Sequence, residues 1–306
     1  MPKADIPPEL GPEFLFRDAR GLGISRRRLA ASDLTTPFRG TRALPLRLPD
    51  GLGYFERRDA ELLHRCRAYL HVAPADFRFS HVTAALLHGI PLPQKFAERT
   101  ALDVTVAVSS VPRRAGVVGH RLRELPAVVM VKGLPTLPAE FVWVQLAAVL
   151  SVDELVVAGD YLVRRKAPAS TLQRLTAAAD VAEGRPGAAR LRQAAAETRA
   201  GTDSPPESRL RLVIVRAGLP EPVIGHTVYF QGFFVGTPDL TYVKEKIALD
   251  YDGKIHREDE RVYADDIERR QLFADAEWRY ITVATDALRV PRSFLSRLER
   301  LLRERG

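Results

Sequence analysis

Thr237-Pro238-Asp239-Leu240 and, after a short charged turn, Ile247-Ala248-Leu249-Asp250-Tyr251-Asp252-Gly253-Lys254-Ile255-His256 form the stretch whose reading decides the fold. Residues 233–242 and 247–251 are rich in aromatic and branched side chains, and Lys244-Glu245-Lys246 separates them, so two antiparallel strands are expected. Side chains alternate faces along a strand, which puts Asp250 and Asp252 on one side, and the hairpin can bring Asp239 beside them. Carboxylates this close repel one another unless a hard cation lies among them. Mg²⁺ is usually held by one or two carboxylates together with substrate phosphate oxygens, and Mn²⁺ can take its place. The chemistry implied is hydrolysis of a phosphodiester.

Pro238-Asp239 followed by Asp250-x-Asp252, with helices before and after, resembles the PD-(D/E)XK nuclease fold. Gly236-Thr237-Pro238-Asp239, then Asp252-Gly253 and His256, is similar to the very-short-patch repair (Vsr) endonucleases and their uncharacterised relatives, whose strand typically ends Glu-x-Asp-Gly-x-x-His. Asp266-Ile267-Glu268-Arg269, Leu272 and Trp278 before Tyr280-Ile281-Thr282-Val283 continue the same order of motifs, so the resemblance covers roughly the last third of the chain. Three positions depart from it. Asp250 stands in place of Glu, Asp252 in place of the Lys of the fold's name, and Glu277 in place of Gly before Trp278. The resemblance implies Asp239, Asp250 and Asp252 as metal ligands. Lys254 or His256 would orient or deprotonate the attacking water, and Glu207, on the first helix of this region, would assist. Glu207 also stands at the capping-box position after Ser204-Pro205-Pro206, which explains it equally well without catalysis. Arg269 and Arg270 on the helix expected over residues 265–275 could reach phosphate, or pair with Asp266 or Glu268.

The chain has 306 residues, 46% of them hydrophobic, enough for two or three domains with ordinary cores. No apolar run approaches the roughly 20 residues of a membrane helix, and acidic residues and prolines interrupt the N-terminus, so a cytoplasmic protein with no membrane partner is expected. Cys66 is the single cysteine; it excludes an internal disulfide and a cysteine-based zinc site. The net charge is +8, from 46 basic and 38 acidic residues. Residues 204–306 balance at 17 against 17, so the excess of 29 over 21 lies upstream. If DNA is the partner, the N-terminal part supplies much of the grip.

In that part a short helix around Phe14, Leu15 and Ala19 is stopped by Gly21 and Gly23, and Ser25 caps a second through Arg26-Arg27-Arg28-Leu29. Pro37-Phe38-Arg39-Gly40-Thr41-Arg42 can form a hairpin wing behind this helix-turn-helix. Gly-x-Ser-Arg-Arg-x-Leu followed by Pro-Phe-Arg-Gly resembles the N-terminal winged helix of AbiEi-type antitoxins of type IV toxin-antitoxin systems. The resemblance implies binding of DNA through Arg26, Arg27 and Arg28 on the recognition helix and Arg39 and Arg42 on the wing. It also implies a cognate toxin as a possible partner. A homodimer on a two-fold site is the habit of helix-turn-helix proteins, whereas Vsr-type enzymes can act alone.

The fold class expected is therefore a multi-domain α/β protein. A winged helix occupies 1–50, an AbiEi-like α+β region 51–203, and a Vsr-like nuclease-fold domain 204–306, divided by the linker-like Gly201-Thr202-Asp203-Ser204-Pro205-Pro206. His81, His88 and His120 lack metal-ligand spacing and read as structural, and Asp160 reads as a helix-packing contact. Three functions stay open: a DNA-directed Mg²⁺-dependent endonuclease, a repressor or antitoxin in which the nuclease fold is a binding platform without turnover, and a partner-binding protein with no nucleic-acid role.

Overall fold

The computed structural model describes residues 5–107, 111–252 and 260–306, with side chains from residue 267 onward in the last segment. The protein is mixed α/β and consists of two compact units, Met1–Ala148 and Val149–Gly306.

The first unit opens with β1 (Glu13–Leu15), α1 (Phe16–Gly21), α2 (Arg26–Leu29) and β2 (Thr41–Ala43), closed by antiparallel pairing of β1 with β2 around buried Phe14, Ala19 and Leu29. The cap read from the sequence is present: Ser25 Oγ accepts from the Arg28 N–H at 3.1 Å. The hairpin expected over 37–42 is present as a short one: Thr35 and Ala43 exchange backbone hydrogen bonds at 2.9 and 3.0 Å across an antiparallel bridge, and between them the Thr41 N–H donates to the Phe38 carbonyl at 3.0 Å. Phe38 is only 2% exposed and packs edge-on against Tyr69 at 5.4 Å between ring centroids. A large apolar ring gains more from that burial than from a position at an exposed hairpin tip. The chain beyond it, β2, pairs with β1 as well as with Thr35.

Next come α3 (Tyr54–Leu70), β3 (Phe77–Phe79), α4 (His81–Leu87), α5 (Gln94–Ala97), β4 (Leu102–Val106), β5 (Val117–Arg121), β6 (Val129–Val131), β7 (Leu134–Thr136) and α6 (Ala139–Leu146). The strands form one sheet in the order β5-β4-β3-β7-β6, with β4–β5 and β3–β7 parallel. Interior β4 is buried along its whole length, as a strand covered on both faces must be. Cys66 lies buried on α3.

The second unit comprises α7 (Val152–Leu162), α8 (Leu172–Asp180), α9 (Ala188–Glu197), α10 (Pro205–Arg216), β8 (Val223–Ile224), β9 (Val228–Phe230), β10 (Phe233–Gly236), β11 (Leu240–Tyr242), β12 (Ile247–Asp252), α11 (Glu260–Asp275), β13 (Arg279–Ala284), α12 (Thr285–Arg289) and α13 (Arg292–Arg305). A four-stranded sheet runs β13-β12-β11-β8, antiparallel except for the β12–β13 pair, which α11 connects. β9 and β10 form a separate hairpin through Gln231 and Gly232, both at positive φ as a primed two-residue turn requires. β8 and β9 are separated by a turn. Gly225 turns at φ 59° and its N–H donates to the Asp239 carbonyl at 3.1 Å.

The division expected at residue 203 does not separate the two units. Asp160 on α7, fully buried, accepts from Arg211 of α10 at 3.0 Å and from the Arg199 N–H at 2.7 Å. Gly159 lets Thr198 approach so closely that a Cβ there would meet its Oγ at 2.6 Å. These contacts make 149–203 part of the same body as α10 and the sheet, and the region expected as 51–203 is cut at Ala148 instead. Among the described residues no helix is long and apolar enough to cross a membrane.

Candidate functional site

Alternation along β12 governs the site. Ile247, Leu249 and Tyr251 face the core made with α10 and α13, while Ala248 faces Phe273 of α11. Asp250 and Asp252 follow Ala248 on the α11 side. The β11–β12 register, Leu240 opposite Leu249, brings Asp239 opposite Asp250. Their locking is reciprocal. The Asp239 N–H donates to Asp250 Oδ1 at 2.8 Å, and the Tyr251 N–H donates to Asp239 Oδ2 at 2.7 Å. At this end of the hairpin, therefore, side-chain oxygens accept from the backbone N–H groups of Asp239 and Tyr251.

Burial pushes the Asp239 carboxyl up to about 7. The Tyr251 N–H opposes this, the negative charges of Glu207 and Asp250 add to it, and Arg269 again opposes. Asp239 therefore holds a proton over part of the neutral range. Asp250 is neutralised differently: Arg269 pairs with its Oδ2 at 2.7 Å, and the Tyr280 hydroxyl donates to the same oxygen. Tyr280 was not legible as a site residue. It lies on β13, opposite Ala248 in the parallel register, and only that register aims its hydroxyl at Asp250.

Glu207 is buried in the first turn of α10, and its Oε2 accepts from the Asp203 N–H at 2.8 Å. No capping box forms, because the carboxylate reaches one residue beyond the Ser204 cap and Ser204 makes no side-chain cap bond. Arg165, absent from the sequence reading, joins the same neighbourhood. It is ion-paired to Asp203 and feels the charges of Glu207 and Asp239, which help hold its guanidinium protonated. No local motif announces it, since its partner lies 38 residues away.

Asp239 and Asp250 are the residues able to hold a cation. Among the described residues, no set of three or more His, Cys, Asp or Glu side chains is gathered to hold an ion. The expected trio of Asp239, Asp250 and Asp252 is therefore present as a close pair with Asp252 further along the strand, where it stands opposite Ala284. A pair of carboxylates completed by water or phosphate oxygens suits Mg²⁺ better than Zn²⁺. The raised Asp239 carboxyl is what a cation would relieve. Lys254 and His256 lie outside the described residues. Arg270 is exposed, and donates to Thr282 Oγ1 at 3.1 Å.

In the first unit the arginines divide by partner. Arg26 and Arg27 are exposed on α2, and Arg39 is exposed beyond Phe38. Arg28 instead makes a two-pronged pair with Asp33, at 3.0 and 3.1 Å. Arg42 donates to the Leu29 carbonyl at the end of α2 and lies 5.0 Å over the Phe16 ring. Both brace the small domain from within. His81 and His88 do not act together. His88 bonds the Leu137 carbonyl at 2.9 Å, whereas His81 stacks on His120 at 3.7 Å, and His120 pairs with buried Asp103 at 2.9 Å.

Compared with protein-family models, curated proteins and solved structures, the chain matches none.

Proposed function

We propose that the protein is a Mg²⁺-dependent DNA endonuclease whose hydrolytic site is built on Asp239 and Asp250. The observation that carries this reading is the reciprocal Asp239–Asp250 lock, with Asp239 pushed up to about 7 by burial and by its acidic neighbours. Such pairs of crowded carboxylates are costly to folding and persist where a charge is to be received. Asp239 and Asp250 would hold the ion, which when bound supplies charge stabilisation to a phosphoryl oxygen and an activated water. Glu207 tunes Asp239 through its charge, and Arg269 holds Asp250 oriented in the ion's absence. Asp252, Lys254 and His256 are assigned, on the resemblance, to assisting the ion and the water. DNA is approached through Arg26 and Arg27 of the winged-helix-like segment, whose guanidinium groups are exposed.

Nicking of supercoiled plasmid in Mg²⁺ or Mn²⁺ tests the proposal. Activity lost in Asp239→Ala and Asp250→Ala, together with calorimetric Mn²⁺ binding that disappears in the same variants, is the expected result. Cleavage unaltered by both substitutions would overturn it.

One observation favours a second reading, a repressor or antitoxin with an inactive platform. Asp250 already has Arg269 and Tyr280 on one oxygen and the Asp239 N–H on the other. In that case DNA binding occurs without Mn²⁺ binding or cleavage, and a cognate toxin or a second copy of the chain becomes the relevant partner.

A further inference from the structure

A second cationic feature lies in the first unit and contains none of the residues assigned above to hydrolysis. A cavity of about 740 Å³ opens beside Phe38, and Arg39, Arg113 and Arg114 line it together with Tyr69. Its lining contains no carboxylate. Among the described residues none of these three arginines makes an ion pair. Arg114 is positioned by donating to the Arg39 carbonyl at 2.6 Å. Arg65 adds a fourth positive charge behind the wall, its guanidinium 5.5 Å over the Phe38 ring.

Tyr69 supplies an independent observation. The residue is 1% exposed, yet among the described residues its hydroxyl has no hydrogen-bond partner. Leaving a buried hydroxyl unsatisfied is unfavourable. Burial pushes that hydroxyl up to about 12, against the opposing charge of Arg114, so it remains a proton donor; Tyr69 and Arg114 line the same cavity. A buried donor beside three guanidinium groups that form no ion pair among the described residues is an arrangement suited to receiving an anion.

The rest of the wall says what carries the anion. Val72, Pro74, Val111 and Pro112 are apolar, and the volume is far larger than a bare phosphate needs. Cavities of roughly 300–1,000 Å³ accommodate whole small molecules. We propose that this cavity binds an organic phosphate of nucleotide size, with the phosphate on Arg39, Arg113, Arg114 and the Tyr69 hydroxyl and the apolar body against the prolines and valines. The planar guanidinium fork matches phosphate oxygens two at a time, which is why several arginines rather than lysines suit a dianion. The site stands independently of the nuclease reading.

Calorimetric titration of the full chain with inorganic phosphate, AMP, ATP and a short duplex oligonucleotide tests the assignment. AMP or ATP should bind, and more tightly than inorganic phosphate. The Arg113→Gln/Arg114→Gln double variant should weaken nucleotide binding about tenfold or more, the scale of one lost charge-assisted hydrogen bond. Tyr69→Phe should weaken it several-fold without lowering the melting temperature of the ligand-free protein, because the substitution removes an unsatisfied group and not a contact. Nucleotide binding indifferent to the arginine substitutions would overturn the proposal, as would the absence of binding by any phosphate compound. Binding of the duplex alone, through these arginines, would replace it by a nucleic-acid contact surface.

Discussion

Asp239→Asn removes one charge from the crowded pair while keeping an oxygen able to accept the Tyr251 N–H. A carboxyl moved from its ordinary value of 3.8 to about 7 disfavours the ionised form by about 4 kcal/mol. Partial exposure reduces the share realised in stability, so about 2–4 kcal/mol is expected. The sign follows from proton binding. Between the unfolded and folded values the native state holds a proton that the unfolded chain has released, so wild-type stability falls as pH rises from about 4 to about 7. Asn, which does not titrate, should leave stability nearly unchanged at pH 4 and raise the melting temperature at pH 8 by about 5–15 °C. Mn²⁺ should then stabilise the wild type at pH 8 and leave the variant unaffected. Calorimetric unfolding at the two pH values measures both effects. A variant that is destabilised at pH 8, or that changes stability equally at both pH values, would refute the account of Asp239 as a carboxylate strained by burial and acidic neighbours.

Arg211→Met leaves Asp160 as an uncompensated charge inside the second unit, and chemical denaturation should show a loss of about 3–5 kcal/mol. Arg26→Ala with Arg27→Ala should lower the slope of log K against log salt for DNA binding by about 2, with little effect on melting. Arg28→Ala or Arg42→Ala should instead lower melting, since these side chains hold Asp33 and the end of α2. Glu277→Gly should raise the melting temperature by about 2–4 °C. Glu277 sits at φ 65° just past α11, a left-handed position that glycine adopts freely, and its pairing with Lys246 is exposed.

How far the residues alone reach depends on the range of the interaction. The alternation of Ile247, Leu249 and Tyr251 against Ala248, Asp250 and Asp252 was readable because a strand sorts its side chains by a period of two, and the charged turn set the register that brings Asp239 opposite Asp250. β3 and β7, three residues each, were too short to carry a period. At Phe38 the turn was readable locally, and its carbonyl accepts from the Thr41 N–H at 3.0 Å, but the burial of its ring against Tyr69 was decided by tertiary packing.

By itself, then, the sequence determined the local order: where strands alternate, where helices are capped, and which carboxylates share a face. The tertiary structure alone decided which distant charges meet them. Arg269 and Tyr280 on Asp250, Arg165 with Asp203 near Glu207, Arg211 on Asp160, and the arginine-lined cavity over Tyr69 all join residues far apart in the chain. Electrostatic partnership depends on distance in space and on burial, and neither is encoded in the spacing of residues along one strand or helix.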